Sequence, residues 1–199
     1  MKPLTDRIFR LLSAGELTAV YREHMVRDFP EAELKPLDRL LKLMKGGLYE
    51  PYGLFEGGVL IAYALYWRTE GDRYVMLDYF AVLPQYRNGG RGSELLREML
   101  ERFCKDGGGV FGEVEIPETG NEEVDTLRRR RLGFYGRAGM RQRDFRTKVF
   151  GVPYIVITYG PEISDEELME IDRKLYRSAF PDKAVYEKNI FIPYVSEGI

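Results

Sequence analysis

Residues 78–93, DYFAVLPQYRNGGRGS, run from an apolar, strand-like stretch through a proline into three glycines and two arginines, just before a helical pattern. A strand, a glycine-rich turn and a helix start in that order build an anion site. The glycines let backbone N–H groups crowd inwards, and the helix start adds partial positive charge, so phosphate is the natural guest. A GxxxxGK[ST] phosphate loop is excluded because the loop has no Gly-Lys pair. A GxGxxG dinucleotide fingerprint is met at Gly90 and Gly92, but its third glycine position holds Leu95. Glu113 does lie about where the ribose-binding acid of that fingerprint would fall, but the strands before the loop read as hairpins and not as strand, loop and helix. A second group of chemical residues follows in GEVEI, where period-2 alternation puts Glu113 and Glu115 on one face of a strand. Asp78, on the neighbouring strand, is a third carboxylate.

The elements that position these residues alternate along the chain. DRIFRLL reads as a first strand. Leu17, Val20, Tyr21 and Met25 then recur with helical period, and Pro30 stops that helix. AELKPLDRLLKLMKGG reads as a second helix, with Pro36 near its start and Gly46 and Gly47 at its end. YEPYGLFE, GVLIAYALYWRT and RYVMLDYFAVL form an antiparallel meander, turned at Gly57-Gly58 and Gly71-Asp72. After the glycine loop, Leu95, Leu96, Met99, Leu100 and Phe103 share a helix face, and VFGEVEI follows as a strand. That strand is predicted parallel to the one before the loop, because a helical crossover favours this pairing. A helix capped by Asn121, two closing strands (RAGMRQRDFRTKVF and VPYIVITYG) and a C-terminal helix capped by Ser164 complete the chain. The expected architecture is α/β (α+β): a mixed, mostly antiparallel sheet of about seven strands flanked by helices. Residues 1–160 form the binding domain, and 161–199 a helical extension packed on it.

Composition excludes several classes of function. The 199 residues carry 30 basic and 32 acidic side chains, a formal charge of -2, so no global field draws in nucleic acid. The run Arg128–Arg131 surrounds its helix axis, at about 100° per residue, and reads as a solvated face with partners in Glu122, Glu123 and Asp125. The single cysteine, Cys104, and the single histidine, His24, exclude an internal disulfide and Cys- or His-cluster metal sites, and both fall at helix-packing positions. No signal-peptide h-region or membrane-length apolar run is present, so a cytoplasmic protein without membrane partners is expected.

QYRNGGRGSELL resembles the Q/R-x-x-G-x-G/A motif of the GCN5-related N-acetyltransferase (GNAT) superfamily, with Arg87, Gly90 and Gly92 at the defining positions. The element order from about Arg7 to Gly160 is similar to that superfamily's. FYGRAGM looks like its second conserved segment, with Met140 in place of a phenylalanine, while the arginine run stands where the family often has an asparagine. The resemblance implies acetyl-CoA as co-substrate, without a metal. Its pyrophosphate would lie on the amides of Asn88, Gly89, Gly90, Arg91, Gly92 and Ser93, with charge from Arg87 and Arg91. Its pantetheine arm would pair with Phe80, Ala81 and Val82, and the Val82 amide would bind the thioester carbonyl.

Tyr135 would act as the general acid for the departing thiolate. An alkylammonium of pKa ~10.4 is neutral in only about one molecule in 10³ at pH 7, so a base or a water chain must take its proton. The candidates are Glu113, Glu115 and Asp78. A Glu-Val motif in relatives that acetylate protein N-termini points to Glu113 as base and leaves Glu115 to bind the cation. These acids would give the cleft a negative lining suited to a small-molecule or peptide-borne primary amine. The alternative on the same fold is a non-catalytic acyl-CoA sensor. For residues 161–199 three roles fit: covering the acceptor cleft, extending the sheet edge, or forming a homodimer contact.

Overall fold

The computed structural model describes residues 7–87 and 91–195. Strand β1 (Arg7–Leu11) leads into α1 (Ala14–Val20), where a capping box fixes the turn: the Ser13 hydroxyl accepts from the Glu16 N–H, and the Glu16 carboxylate accepts from the Ser13 N–H. The helix runs on through a π-turn (Tyr21–Met25) and a last turn (Val26–Asp28), with Leu17, Val20 and Met25 buried as their spacing predicts. Helix α2 (Leu37–Lys45) starts directly after Pro36, whose fixed φ suits a helix entry. Residues 32–36, also predicted helical, are not: a single 3₁₀ turn (Glu31–Glu33) is followed by a non-helical stretch up to Pro36.

The predicted meander is present as β2 (Tyr49–Glu56), β3 (Val59–Trp67) and β4 (Tyr74–Val82). The β2–β3 turn needs left-handed backbone at both central positions, which Gly57 (φ 59°) and Gly58 (φ 80°) supply. Then come α3 (Arg91–Phe103), β5 (Gly109–Glu115), α4 (Glu122–Arg137), β6 (Arg141–Val149), β7 (Val152–Tyr159), α5 (Asp165–Ala179), α6 (Lys183–Asn189) and β8 (Ile190–Phe191). Asn121 and Ser164 cap α4 and α5 as expected.

The strands form one sheet in the order β1-β2-β3-β4-β5-β7-β6-β8, in which only β4 and β5 are parallel. It has eight strands where about seven were expected, because the supposedly helical C-terminal segment adds β8 beside Lys148 and Val149 of β6. Two residues were too few to register as a strand by periodicity. One face of the sheet packs Tyr49, Trp67 and Tyr79 against Leu17, Met25, Leu40, Leu168 and Leu175 from α1, α2 and α5. The other packs Leu54, Ile61, Val75 and Ile157 against Leu95, Leu96, Met99 and Leu100 of α3.

Two irregularities position the site. β4 and β5 pair only through Tyr74–Met76 and Gly109–Phe111, after which they diverge. Close to the divergence β4 carries a bulge: Leu77 faces Tyr66 and Tyr79 faces Leu65, which leaves Asp78 as the extra residue. A bulge bends and twists its strand locally, and here it accompanies the departure of β4 from β5. The result is a fork in the middle of the sheet.

Candidate active site

A cleft of about 1140 Å³ opens at this fork, lined by β4 and β5, the loop around Lys35, the first turn of α3, and α4. Along its β4 wall the backbone is directional. The Leu83 N–H bonds the Ile61 carbonyl on β3 at 3.0 Å, so strand alternation turns the N–H groups of Val82 and Phe80 away from β3 and towards the opening. The Val82 carbonyl faces the same way and accepts from Arg87 Nε at 2.5 Å.

Arg87 and Arg91, the two cations expected to add charge at the phosphate loop, are both engaged in ion pairs. Arg87 Nη2 reaches Asp28 at 2.5 Å, which ties the loop entry to the end of α1, and Asp28 also accepts from the Tyr63 hydroxyl at 2.9 Å. Arg91 Nη2 pairs with Glu56 at 2.9 Å. Asn88, Gly89 and Gly90 lie outside the described residues. Gly92 and Ser93 sit in the first turn of α3, close against α4: a Cβ on Gly92 would stand 3.1 Å from the Phe134 ring, and Ser93 Oγ donates to the Phe134 carbonyl at 3.3 Å. Phe134 in turn stacks on Phe80, with ring centroids 5.8 Å apart. Beside it, Tyr135 lines the cleft, and burial pushes its phenol up against the lowering effect of Arg131, so the hydroxyl is protonated at neutral pH. That hydroxyl has no hydrogen-bond partner among the described residues.

The three candidate carboxylates all line the cleft but differ sharply in their partners. Glu115 is held twice, by Arg128 at 2.6 Å and by Arg131 at 2.8 Å. The arginine run is therefore not simply a solvated face. Residues 128 and 131, three apart on α4, clamp β5, and only Arg129 pairs with Glu122 as the sequence reading had it. Asp78 holds the Lys35 ammonium with both oxygens, at 2.8 and 2.6 Å, and also accepts from the Tyr49 hydroxyl. Glu113 accepts from the hydroxyls of Thr147 and Tyr176. Burial pushes the Glu113 carboxyl up and Asp78 adds to this, while the two hydroxyls and Lys35 oppose it.

The predicted negative lining is corrected by these pairings, because Lys35, Arg39, Arg87, Arg130, Arg131 and Arg137 share the cleft with the acids. Sequence periodicity could not pair β5 with α4 or the segment before α2 with β4, since such contacts depend on how the elements stack.

Three participants were not singled out from sequence. Lys35 falls at the start of the stretch read as the second helix, whose apolar period does not mark it. Tyr176 and Asp172, one turn apart on α5, come from the region beyond Gly160. Asp172 is fully buried, and neither of its oxygens has a hydrogen-bond partner; the Trp67 Nε1–H is likewise unpaired. Burial and the neighbouring charge of Glu113 hold the Asp172 carboxyl well above the usual range.

Comparison with known proteins agrees with this fold. A GNAT-family protein from Bacteroides thetaiotaomicron superposes with a TM-score of 0.69 at 22% identity, over 88% of this chain and 99% of that one. The ribosomal-protein-S18-alanine N-acetyltransferase of Escherichia coli gives 0.55 at 17%, over 80% and 96%. A Bacillus subtilis acetyltransferase in complex with CoA gives 0.51 at 14%, over 79% and 100%. No curated protein sequence matches the chain. The sequence pattern of the Acetyltransferase (GNAT) family matches residues 17–140, from α1 through the fork to the end of α4, and the chain belongs to that family.

Proposed function

We propose that the protein transfers an acetyl group from acetyl-CoA to a primary amine by direct attack within a ternary complex. The observation that carries this reading is the fork: an unpaired edge of β4, with the N–H groups of Val82 and Phe80 turned into it, can take an extended acyl-pantetheine arm as an added strand. The close approach of α3 to Phe134 at Gly92 shapes the phosphate end. There the amides of Asn88 to Ser93 would hold the pyrophosphate, with charge lent by Arg87 and Arg91.

When bound, acetyl-CoA supplies an activated acyl group, and the chain's own residues supply hydrogen bonds and proton transfer. Of the two N–H groups turned into the fork, that of Phe80 is the nearer to Glu113, and it donates to the carbonyl oxygen as negative charge develops there, in place of the Val82 N–H expected from the sequence. Tyr135, protonated at neutral pH, gives a proton to the leaving sulfur. Glu113, raised by burial, is a stronger base than an exposed carboxylate and takes the ammonium's proton directly or through water. Glu115 and Asp78 are already paired with cations and serve better to hold α4 and Lys35 in place.

An amine acceptor is favoured by the names of two structural neighbours, the S18-alanine N-acetyltransferase and a spermidine N-acetyltransferase from Vibrio cholerae (TM-score 0.56, 11% identity, over 77% of this chain and 93% of that one). The test is thiol release from acetyl-CoA over a panel of small and peptide primary amines. Turnover with intersecting double-reciprocal lines supports the reading. CoA binding without turnover on any amine favours an acyl-CoA sensor instead.

A further inference from the structure

Lys35 lies where the chain enters α2, and its backbone is pinned to β4. Its N–H donates to the Tyr79 hydroxyl at 2.9 Å, and that hydroxyl donates to the Glu33 carbonyl at 2.7 Å. The Lys35 ammonium rests between both oxygens of Asp78 and lies 5.2 Å from the centroid of Trp67 and 5.4 Å from that of Tyr79. A carboxylate with two aromatic faces is a cage for a primary ammonium, and the chain's own amine fills it.

The cage stands at the vertex of the fork. Asp78 is the second residue past Met76, the last of β4 to pair with β5, and Glu113 is the second past its partner Phe111. The Lys35 charge acts on Glu113. The Phe80 N–H, turned into the opening, is two residues along β4 from Asp78, about 7 Å at the rise of a strand. A flexible four-carbon stem can swing across such a gap. Lys35 approaches with Tyr79 and Trp67 from the α1, α2 and α5 face, whereas Tyr135 belongs to the core on the α3 and α4 face. Nucleophile and leaving-group acid therefore meet the fork from opposite sides.

We propose that Lys35 is a self-acetylation site: with acetyl-CoA in the fork and no external amine, its own Nζ takes the acetyl group. The inference rests on the transferase reading above. Lys35 gives up a proton to Glu113 or water, its nitrogen bonds to the thioester carbonyl carbon, and that nitrogen then sheds a second proton, which replaces the one Tyr135 gives to the sulfur. The C–S bond breaks with its electron pair leaving on sulfur, and Tyr135 protonates the sulfur. The products are Nε-acetyl-Lys35, CoA and one proton released to solvent. The modification removes the cation that balances Asp78, and so changes the charge an incoming acceptor meets.

The experiment incubates the full chain with acetyl-CoA and no acceptor, and maps acetylated lysines by peptide mass spectrometry over time. Lys35 is expected to label at least about tenfold faster than Lys42, Lys45 or Lys183, as proximity dictates. The per-molecule rate is expected to be unchanged on dilution of the protein, and the preference to be abolished by heat unfolding. Lys35→Arg, which keeps a cation for Asp78, should lose the fast label while Lys42, Lys45 and Lys183 label as before. Labelling of Lys35 no faster than of the exposed lysines, in protein that binds CoA and acetylates an amine of the panel, overturns self-acetylation and leaves the transferase reading intact. Protein that neither binds CoA nor turns over any amine overturns both.

Discussion

The Tyr176 hydroxyl, on α5, donates to the Glu113 carboxylate, on β5, so a helix from the C-terminal segment completes the hydrogen bonding of the carboxylate proposed as base. That bond favours the ionised form of Glu113, and the raised carboxyl would stand higher without it. Hydrogen bonds to charged groups are worth roughly 1.5–3 kcal/mol. Tyr176→Phe should accordingly move the acid limb of the kcat–pH profile upwards by about one unit or more, at ~1.4 kcal/mol per unit. An unmoved limb in a folded variant would remove Glu113 from the role of base.

Asp172 makes stability depend on pH in a defined direction. Its carboxyl is held well above the ordinary range by burial and by Glu113. Below the unfolded value of about 3.9 it is protonated in both states. Above that value only the unfolded chain sheds the proton, so the group costs stability progressively as pH rises towards its folded value. Asp172→Asn should be more stable than the parent at pH 7 and nearly equal to it at pH 4, measured by urea unfolding. A stability difference that is the same at both pH values would contradict the assignment.

Much of this was legible in the sequence. The element order, the caps at Asn121 and Ser164, the parallel β4–β5 pair and the shared face of Glu113 and Glu115 all follow from period and turn chemistry, which act over a few residues. The illegible part is the pairing of charges. That Glu115 meets Arg128 and Arg131, Asp78 meets Lys35, and Glu113 meets Tyr176 depends on the bulge at Asp78 and on how α4, α2 and α5 dock, which no local pattern encodes.

The clamp on Glu115 yields a third expectation. Glu115→Gln leaves Arg128 and Arg131 without their carboxylate, and should lower stability by about 1–2 kcal/mol while moving the acceptor KM by less than about twofold. A large rise in acceptor KM at unchanged stability would instead make Glu115 the site that binds the substrate cation.

Tyr135→Phe removes the only atom the proposed acid uses and keeps the ring beside Phe134. Turnover should fall by ~10²-fold or more with CoA affinity unchanged, as a loss confined to the transition state requires. Nearly full turnover would reduce Tyr135 to a packing residue.

The central claim is that the edge of β4 beyond Met76 receives the acyl-pantetheine arm, and amide hydrogen exchange resolved residue by residue tests it most directly. On addition of CoA, the Phe80 and Val82 amides, which face the fork, should shift and gain protection. The Ala81 amide should change little, because alternation bonds it to β3 with or without ligand. Unchanged exchange at Phe80 and Val82 in protein saturated with CoA would contradict the account.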